Sequence, residues 1–233
     1  MAWLTGAGAA LAQAQVPADP PGWHGELSLG GAIATGNTER RSFDLEARAA
    51  AKLGRLENKY RVSAGQAVER GMETERRLQA DAQANIDLTA RLYGLGLAQY
   101  DNNRFSTYRY ELAGGLGLGY RLVATSRVKL AVETGPGYRT GRVRATGDTQ
   151  SELFWRIAST LTVQISDTAQ FADELQVTED RIRTRVENTA SLTTNVVGNI
   201  AARISFNVRR DSAPPAGVAK TDTLTKLSLV YSY

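Results

Sequence analysis

Residues 78–90 alternate apolar and polar side chains almost without a break. Leu78, Ala80, Ala82, Ala84, Ile86, Leu88 and Ala90 face Gln79, Asp81, Gln83, Asn85, Asp87 and Thr89. Successive side chains of a strand leave on opposite sides, so this run predicts a strand with one oily and one wet face. The same period returns in 43–53, where Phe43, Leu45, Ala47, Ala49, Ala51 and Leu53 oppose Asp44, Glu46, Arg48 and Lys52. An Ala-rich helix is the alternative there, and the period-2 match is the cleaner one. Segments 108–122 and 153–165 repeat the pattern, and others fall near 22–35, 56–69, 92–101, 127–138, 169–178, 185–197, 199–208 and 222–233. Little helical periodicity is found after Gly22. The chain is therefore expected to be all-β over residues 22–233, with about twelve strands.

Periodicity does not say which face points inward; strand length and the connections do. The runs span about 10 to 14 residues, whereas strands of water-soluble proteins cluster near 5 or 6. About eleven residues at roughly 3.3 Å each, tilted by about 45°, rise roughly 25 Å, the height of the apolar band of an outer-membrane barrel. Tight connections at 53–55, 89–91, 123–126, 166–168 and 197–199 alternate with longer charged links at 36–41, 69–76, 101–109, 139–150, 178–184 and 209–222. Short periplasmic turns and longer extracellular loops give that rhythm in bacterial barrels. The expected fold is thus a single antiparallel transmembrane β-barrel, oily face outward, with both termini periplasmic.

Composition is compatible with this reading. The 42% hydrophobic content and mean hydropathy of −0.31 resemble a water-soluble protein, but barrel strands are only half apolar. No run of about 18 apolar residues marks a spanning helix. The absence of cysteine removes disulfides and thiolate metal sites from consideration. A balance of 28 basic against 24 acidic residues is too even to argue for a nucleic-acid partner. Residues 1–21 read as a signal-peptide remnant and linker: small apolar residues lead into A-x-A patterns at Ala10-Leu11-Ala12 and Ala12-Gln13-Ala14, then Pro17, Pro20 and Pro21. A disordered Ala/Gly-rich tail is the alternative.

In the last segment Leu227, Leu229, Tyr231 and Tyr233 share one face, and this resembles the carboxy-terminal assembly signal of outer-membrane proteins. Trp23, Tyr93, Tyr108, Tyr120, Tyr138, Tyr231 and Tyr233, near predicted strand ends, suit interfacial girdles. Asp173 falls on the lipid side of its run; a bulge or an interfacial depth is expected there. Trp23-x-Gly25, Thr35-Gly36-Asn37-Thr38, Asp101…Arg104-Phe105, Gly135-Pro136-Gly137-Tyr138-Arg139 and the terminal strand occur in this order. In these motifs the chain resembles the salt-induced outer-membrane proteins (YdiY-like), a family of unknown function. The resemblance implies a barrel in the outer membrane of a Gram-negative bacterium, and implies no catalytic residues.

With the oily face outward, the wet face lines a lumen. The alternation places Asp44, Glu46, Asp81, Asp87, Glu111 and Glu133 there, with Arg48, Arg109, Arg121, Lys129, Arg156 and Arg203. Glu26, Glu152, Glu174, Glu187, Lys52, Arg61 and Lys226 join them. Acids and bases in near balance suggest a salt-bridged plug or a narrow, weakly selective pore, since a lining of one sign is what ion selectivity requires. Charges that merely brace the lumen are the plainer alternative. His24 is the single histidine; it is expected inward, making a hydrogen bond at the periplasmic rim, and no serine is spaced to form a hydrolytic pair with it. Arg139, Arg142 and Arg144, with Arg181, Arg183 and Arg185, are placed on outer loops, where guanidinium groups could bind lipopolysaccharide phosphates. Gly114–Gly119 lies within a strand, where glycine relieves crowding or permits curvature. The expectation is a barrel without cofactor or metal: a narrow pore or structural envelope protein, tied by the family resemblance to salt or osmotic stress, or else a surface-binding module; a lipid-acting barrel enzyme is the third and least favoured reading. Its expected partners are outer-membrane lipids, lipopolysaccharide and the barrel-assembly machinery, and oligomeric state is left open.

Overall fold

The computed structural model describes residues 22–34, 40–213 and 219–233. Twelve strands follow one another: β1 (Gly22–Ala34), β2 (Arg40–Leu53), β3 (Leu56–Glu69), β4 (Met72–Asp87), β5 (Leu92–Asn103), β6 (Tyr108–Ala124), β7 (Val128–Val143), β8 (Thr149–Gln164), β9 (Ala169–Asp180), β10 (Thr184–Val197), β11 (Ile200–Asp211) and β12 (Thr221–Ser232). Each pairs antiparallel with its neighbours in sequence, and β1 pairs with β12 to close the barrel. Closure leaves no strand edge with unpaired backbone groups, which a hydrocarbon environment demands.

The alternation read from the sequence decides the surface. Leu116 is 73% exposed, Leu153 71% and Ile157 54%, and Leu27, Leu45, Leu78, Ile204, Leu227 and Leu229 are likewise exposed. Few large apolar side chains are buried. This inverts the arrangement of a water-soluble protein, in which an apolar patch larger than several hundred Å² is rare. Trp23, Tyr120, Tyr138, Tyr231 and Tyr233 also stand on the outer surface. The seam is closed by the last residue. Gly25 and Tyr233 exchange both backbone hydrogen bonds (3.2 and 3.0 Å), and the Tyr233 ring lies against Gly25, where any β-carbon would strike it.

The start of β1 and the end of β12 share one end of the barrel with the links 54–55, 88–91, 125–127, 165–168 and 198–199. At the other end the longest connection described in part runs from Ser212 to Lys220. Among the described residues, much of the charged links of the sequence is strand. Segment 69–76 turns in two residues, Arg70 and Gly71, with φ of 49° and 80°, the left-handed pair of a tight hairpin. Alternation continues through its charges, with Met72, Thr74 and Arg76 exposed and Glu73 and Glu75 half-buried. The signal-like segment 1–21 lies outside the described residues.

Asp173 does face outward, but its pairings with β8 and β10 run without a register shift, so no bulge explains it. Its carboxylate instead accepts a hydrogen bond from Asn188 Nδ2 at 3.0 Å. The ladder between β6 and β7 is interrupted near Gly117 and Gly135, between the Gly115–Gly137 and Leu118–Thr134 pairs. Pro136 lies in the gap, where a residue with no N–H to donate fits. Here the two backbones approach so closely that a β-carbon on Gly135 would lie 2.1 Å from the Leu116 carbonyl oxygen.

Candidate functional site

The inner wall is the chemically distinctive surface. Near the end that carries the termini, Asp87 accepts from Arg121 Nη2 at 2.7 Å and faces Lys52 Nζ at 3.7 Å. Arg203 holds Glu26 through two parallel bonds of 2.6 and 2.8 Å, the geometry in which a guanidinium matches a carboxylate. Lys226 Nζ donates to Asp44 at 3.0 Å. At mid-height Glu133 gathers three donors: Arg156 Nη1 at 2.9 Å, Tyr93 Oη at 2.9 Å and Gln83 Nε2 at 2.8 Å. Arg48 reaches Glu46 at 2.6 Å and Arg61 reaches Asp81 at 2.9 Å. Both arginines also approach Glu174, at 3.3 and 3.7 Å.

Towards the loop end Arg77 pairs with Asp101 and Arg209 with Glu187 at 3.0 Å. Arg185 pairs with Asp211 at 3.3 Å. Arg183, in the link 181–183, lies 3.6 Å from Asp180 and 3.8 Å from Asp211. Burial lowers the Arg183 pKa, but Tyr108, Glu152 and Asp180 raise it by more, so the guanidinium stays charged. Space inside the lumen is uneven. A cavity of about 670 Å³ occupies the half towards the termini, lined by Glu26, Arg48, Arg61, Gln83, Glu133, Arg156 and Glu174 among others. Above it only about 90 Å³ remains between Arg77, Asp101, Arg139, Arg185 and Arg209, and about 340 Å³ opens near Tyr108, Gln150 and Ile182.

Of the nineteen residues expected to line the lumen, all but Arg109 keep the inward register, among them Asp44, Glu46, Arg48, Asp81, Asp87, Glu111, Arg121, Glu133, Arg156 and Arg203. Lys129 pairs with Thr162 on the inward register and is exposed at the terminus end. Arg109 is exposed where β6 shifts register between Tyr108 and Glu111, and that shift turns Tyr108 inward, where its hydroxyl donates to Gln150 at 2.7 Å. His24 lines the wide cavity as expected, but it makes no hydrogen bond among the described residues.

The arginines assigned to outer loops are already engaged. Arg139, Arg142 and Arg185 belong to β7 and β10. Arg139 points inward, 12% exposed, against Glu152 at 3.0 Å and Asp180 at 3.8 Å, above the Phe154 ring. Arg142 donates to the Gly147 carbonyl and Arg144 to those of Asn103, Ser106 and Tyr108. Of the six, Arg181 alone makes no ion pair or hydrogen bond among the described residues.

An apolar patch inside the lumen escapes the alternation rule as applied to the sequence. Tyr93, read as a girdle residue, is 3% exposed and faces inward, as do buried Leu95 and Phe154. Their register explains it: Asn85 pairs with Leu95 and Gly119 with Tyr93, and paired residues share a face. Tyr93 covers Gly119 and Phe154 covers Gly137, each ring occupying the space of a missing side chain. Glycine tracts in β6 and β7 were the available signal, since bare backbone on an inner wall invites a neighbouring aromatic ring.

The model of the family described as "Protein of unknown function, DUF481" matches residues 27–233. The chain belongs to that family. No curated protein matches it. Solved structures match in fold at low identity. An outer-membrane channel from Pseudomonas putida F1 described as COG4313 has a TM-score of 0.59 at 11% identity, over 96% of this chain and all (100%) of that one. The translocator domain of the autotransporter NalP from Neisseria meningitidis scores 0.54 at 14% identity, over 94% and 90%. The NanC porin scores 0.53 at 13%, over 88% and 97%. This member of the DUF481 family thus has the fold of outer-membrane barrels, and those neighbours are porins, channels and a translocator.

Proposed function

We propose that this protein is a narrow, passive pore of the Gram-negative outer membrane, admitting small ions and hydrophilic solutes with weak charge preference. One observation carries the reading: the lumen is walled by ionised side chains and holds a sizeable cavity, and among the described residues no helix or inserted segment fills it. Paired charges of both signs give neither cations nor anions a continuous track, so discrimination by charge is small. The porins and channels of similar fold support the same class. A phosphate-binding surface is less favoured, because five of the six arginines that would form it are held by protein oxygens. A leak for small osmolytes bears on turgor, and a role in salt or osmotic stress is part of this reading. Lipid and lipopolysaccharide surround the barrel in this reading, and the exposed face Leu227, Leu229, Tyr231 and Tyr233 serves recognition by the assembly machinery.

Purified, refolded protein in planar bilayers is expected to give discrete openings of small unitary conductance, with a reversal potential close to zero in a KCl gradient. Folded protein, verified by heat-modifiable gel migration, that stays silent in both KCl and a large-ion salt contradicts the reading.

A further inference from the structure

We propose that Glu174 divides the wide half of the lumen and sets its charge preference, by tying two arginines of the far wall across it. The inference rests on the pore reading. Glu174 stands on β9, and its inward neighbours on β8 and β10 are Thr160 and Thr189. Neither direct partner is a cation. Among the described residues its ion pairs come only from across the barrel, from Arg48 Nη1 at 3.3 Å and Arg61 Nη1 at 3.7 Å. Arg61 lies on β3, diametrically opposite β9 in the ring of twelve, and Arg48 on adjacent β2. Other pairs follow the wall: Arg156 with Glu133 at mid-height joins adjacent strands, and Arg203 with Glu26 nearer the terminus end spans only β12.

The far wall has its own reason to need this acid. Arg48 and Arg61 are direct cross-strand partners, and like charges so placed repel. Glu174 lies within reach of both. Each arginine also has an anchor beside it, Glu46 at 2.6 Å and Asp81 at 2.9 Å. Without Glu174 they stay charged and paired, but fall back against their wall. The strut crosses the cavity of about 670 Å³, so its loss leaves that section undivided and adds one positive charge to the lining.

The test compares wild type, Glu174→Gln, Arg61→Gln and Asp101→Asn in planar bilayers, each shown to be folded by heat-modifiable migration. Asp101 pairs with Arg77 on the adjacent strand, so its neutralisation alters charge without cutting a strut. A rise in unitary conductance is expected for both Glu174→Gln and Arg61→Gln, limited by the narrower section between Arg77, Asp101, Arg139, Arg185 and Arg209. Their reversal potentials shift in opposite senses, towards chloride for the first and towards potassium for the second. Asp101→Asn shifts the reversal potential without the rise. A conducting wild type with both strut variants at its own conductance overturns this inference and leaves the pore reading standing. A silent wild type with conducting strut variants supports the strut and overturns the open-pore reading. Silence in all overturns both.

Discussion

Gly135→Ala is expected to prevent formation of the closed barrel. The added methyl would lie 2.1 Å from the Leu116 carbonyl oxygen and 2.6 Å from the Gly117 α-carbon. Both are backbone atoms of β6, so no side chain can rotate away. Overpacking against mobile side chains typically costs about 1–3 kcal/mol; here relief requires β6 and β7 to separate. A barrel tolerates that poorly, because every strand is held on both sides and an opened ladder leaves backbone groups unpaired in lipid. Gly65→Ala is the control: its nearest neighbours would be 3.8 Å away, ordinary contact. Refolding into detergent micelles, followed by heat-modifiable migration, is expected to give a compact band for wild type and Gly65→Ala and none for Gly135→Ala. Equal yields for all three contradict the assigned close approach of β6 and β7.

Glu133→Ala is expected to cost about 3–5 kcal/mol, the range for removing one partner of a buried ion pair. Its carboxylate binds Arg156, Tyr93 and Gln83 at once, and both it and Arg156 are nearly covered, 12% and 13% exposed. The substitution leaves the Arg156 charge with only the neutral Gln176 amide oxygen at 2.9 Å. Removing both charges together, in Glu133→Leu with Arg156→Met, is expected to recover most of the loss, because no buried charge is left without a partner. Guanidinium unfolding of the reconstituted barrel, read by tryptophan fluorescence, measures the series. A single-variant loss of less than about 0.5 kcal/mol, the scale of a neutral surface change, contradicts the central place given to Glu133.

How much of this the chain discloses depends on whether a feature is local. The faces of β2, β4 and β8 are legible residue by residue, because side-chain period is a property of one strand. From it follow the strand number, the closed barrel and the inward set from Asp44 to Arg203. Pairing partners are not local. The alternation places Glu174 and Arg61 in the lumen, but only closure of twelve strands brings them face to face. Aromatic direction fails for the same reason: Tyr93 resembles a girdle residue in the sequence, and pairing with Gly119 is what turns it inward. Charged stretches mislead in another way. ERGMETER looks like a loop because strands are expected to end where charge begins, yet β4 begins at Met72. A strand that outruns the apolar band can carry charges on both faces.

The most direct measurement uses the absence of cysteine, which lets single nitroxide labels be placed without background. Labels at Ala82 and Leu161, on the outer face, and at Asp81 and Thr160, on the inner face, are compared in liposomes by power saturation with oxygen and with a water-soluble nickel chelate. Oxygen accessibility at Ala82 and Leu161, with nickel accessibility at Asp81 and Thr160, is the result expected of a barrel with lipid outside and water within. Nickel reaching Ala82 and Leu161 while Asp81 and Thr160 stay dry would contradict it.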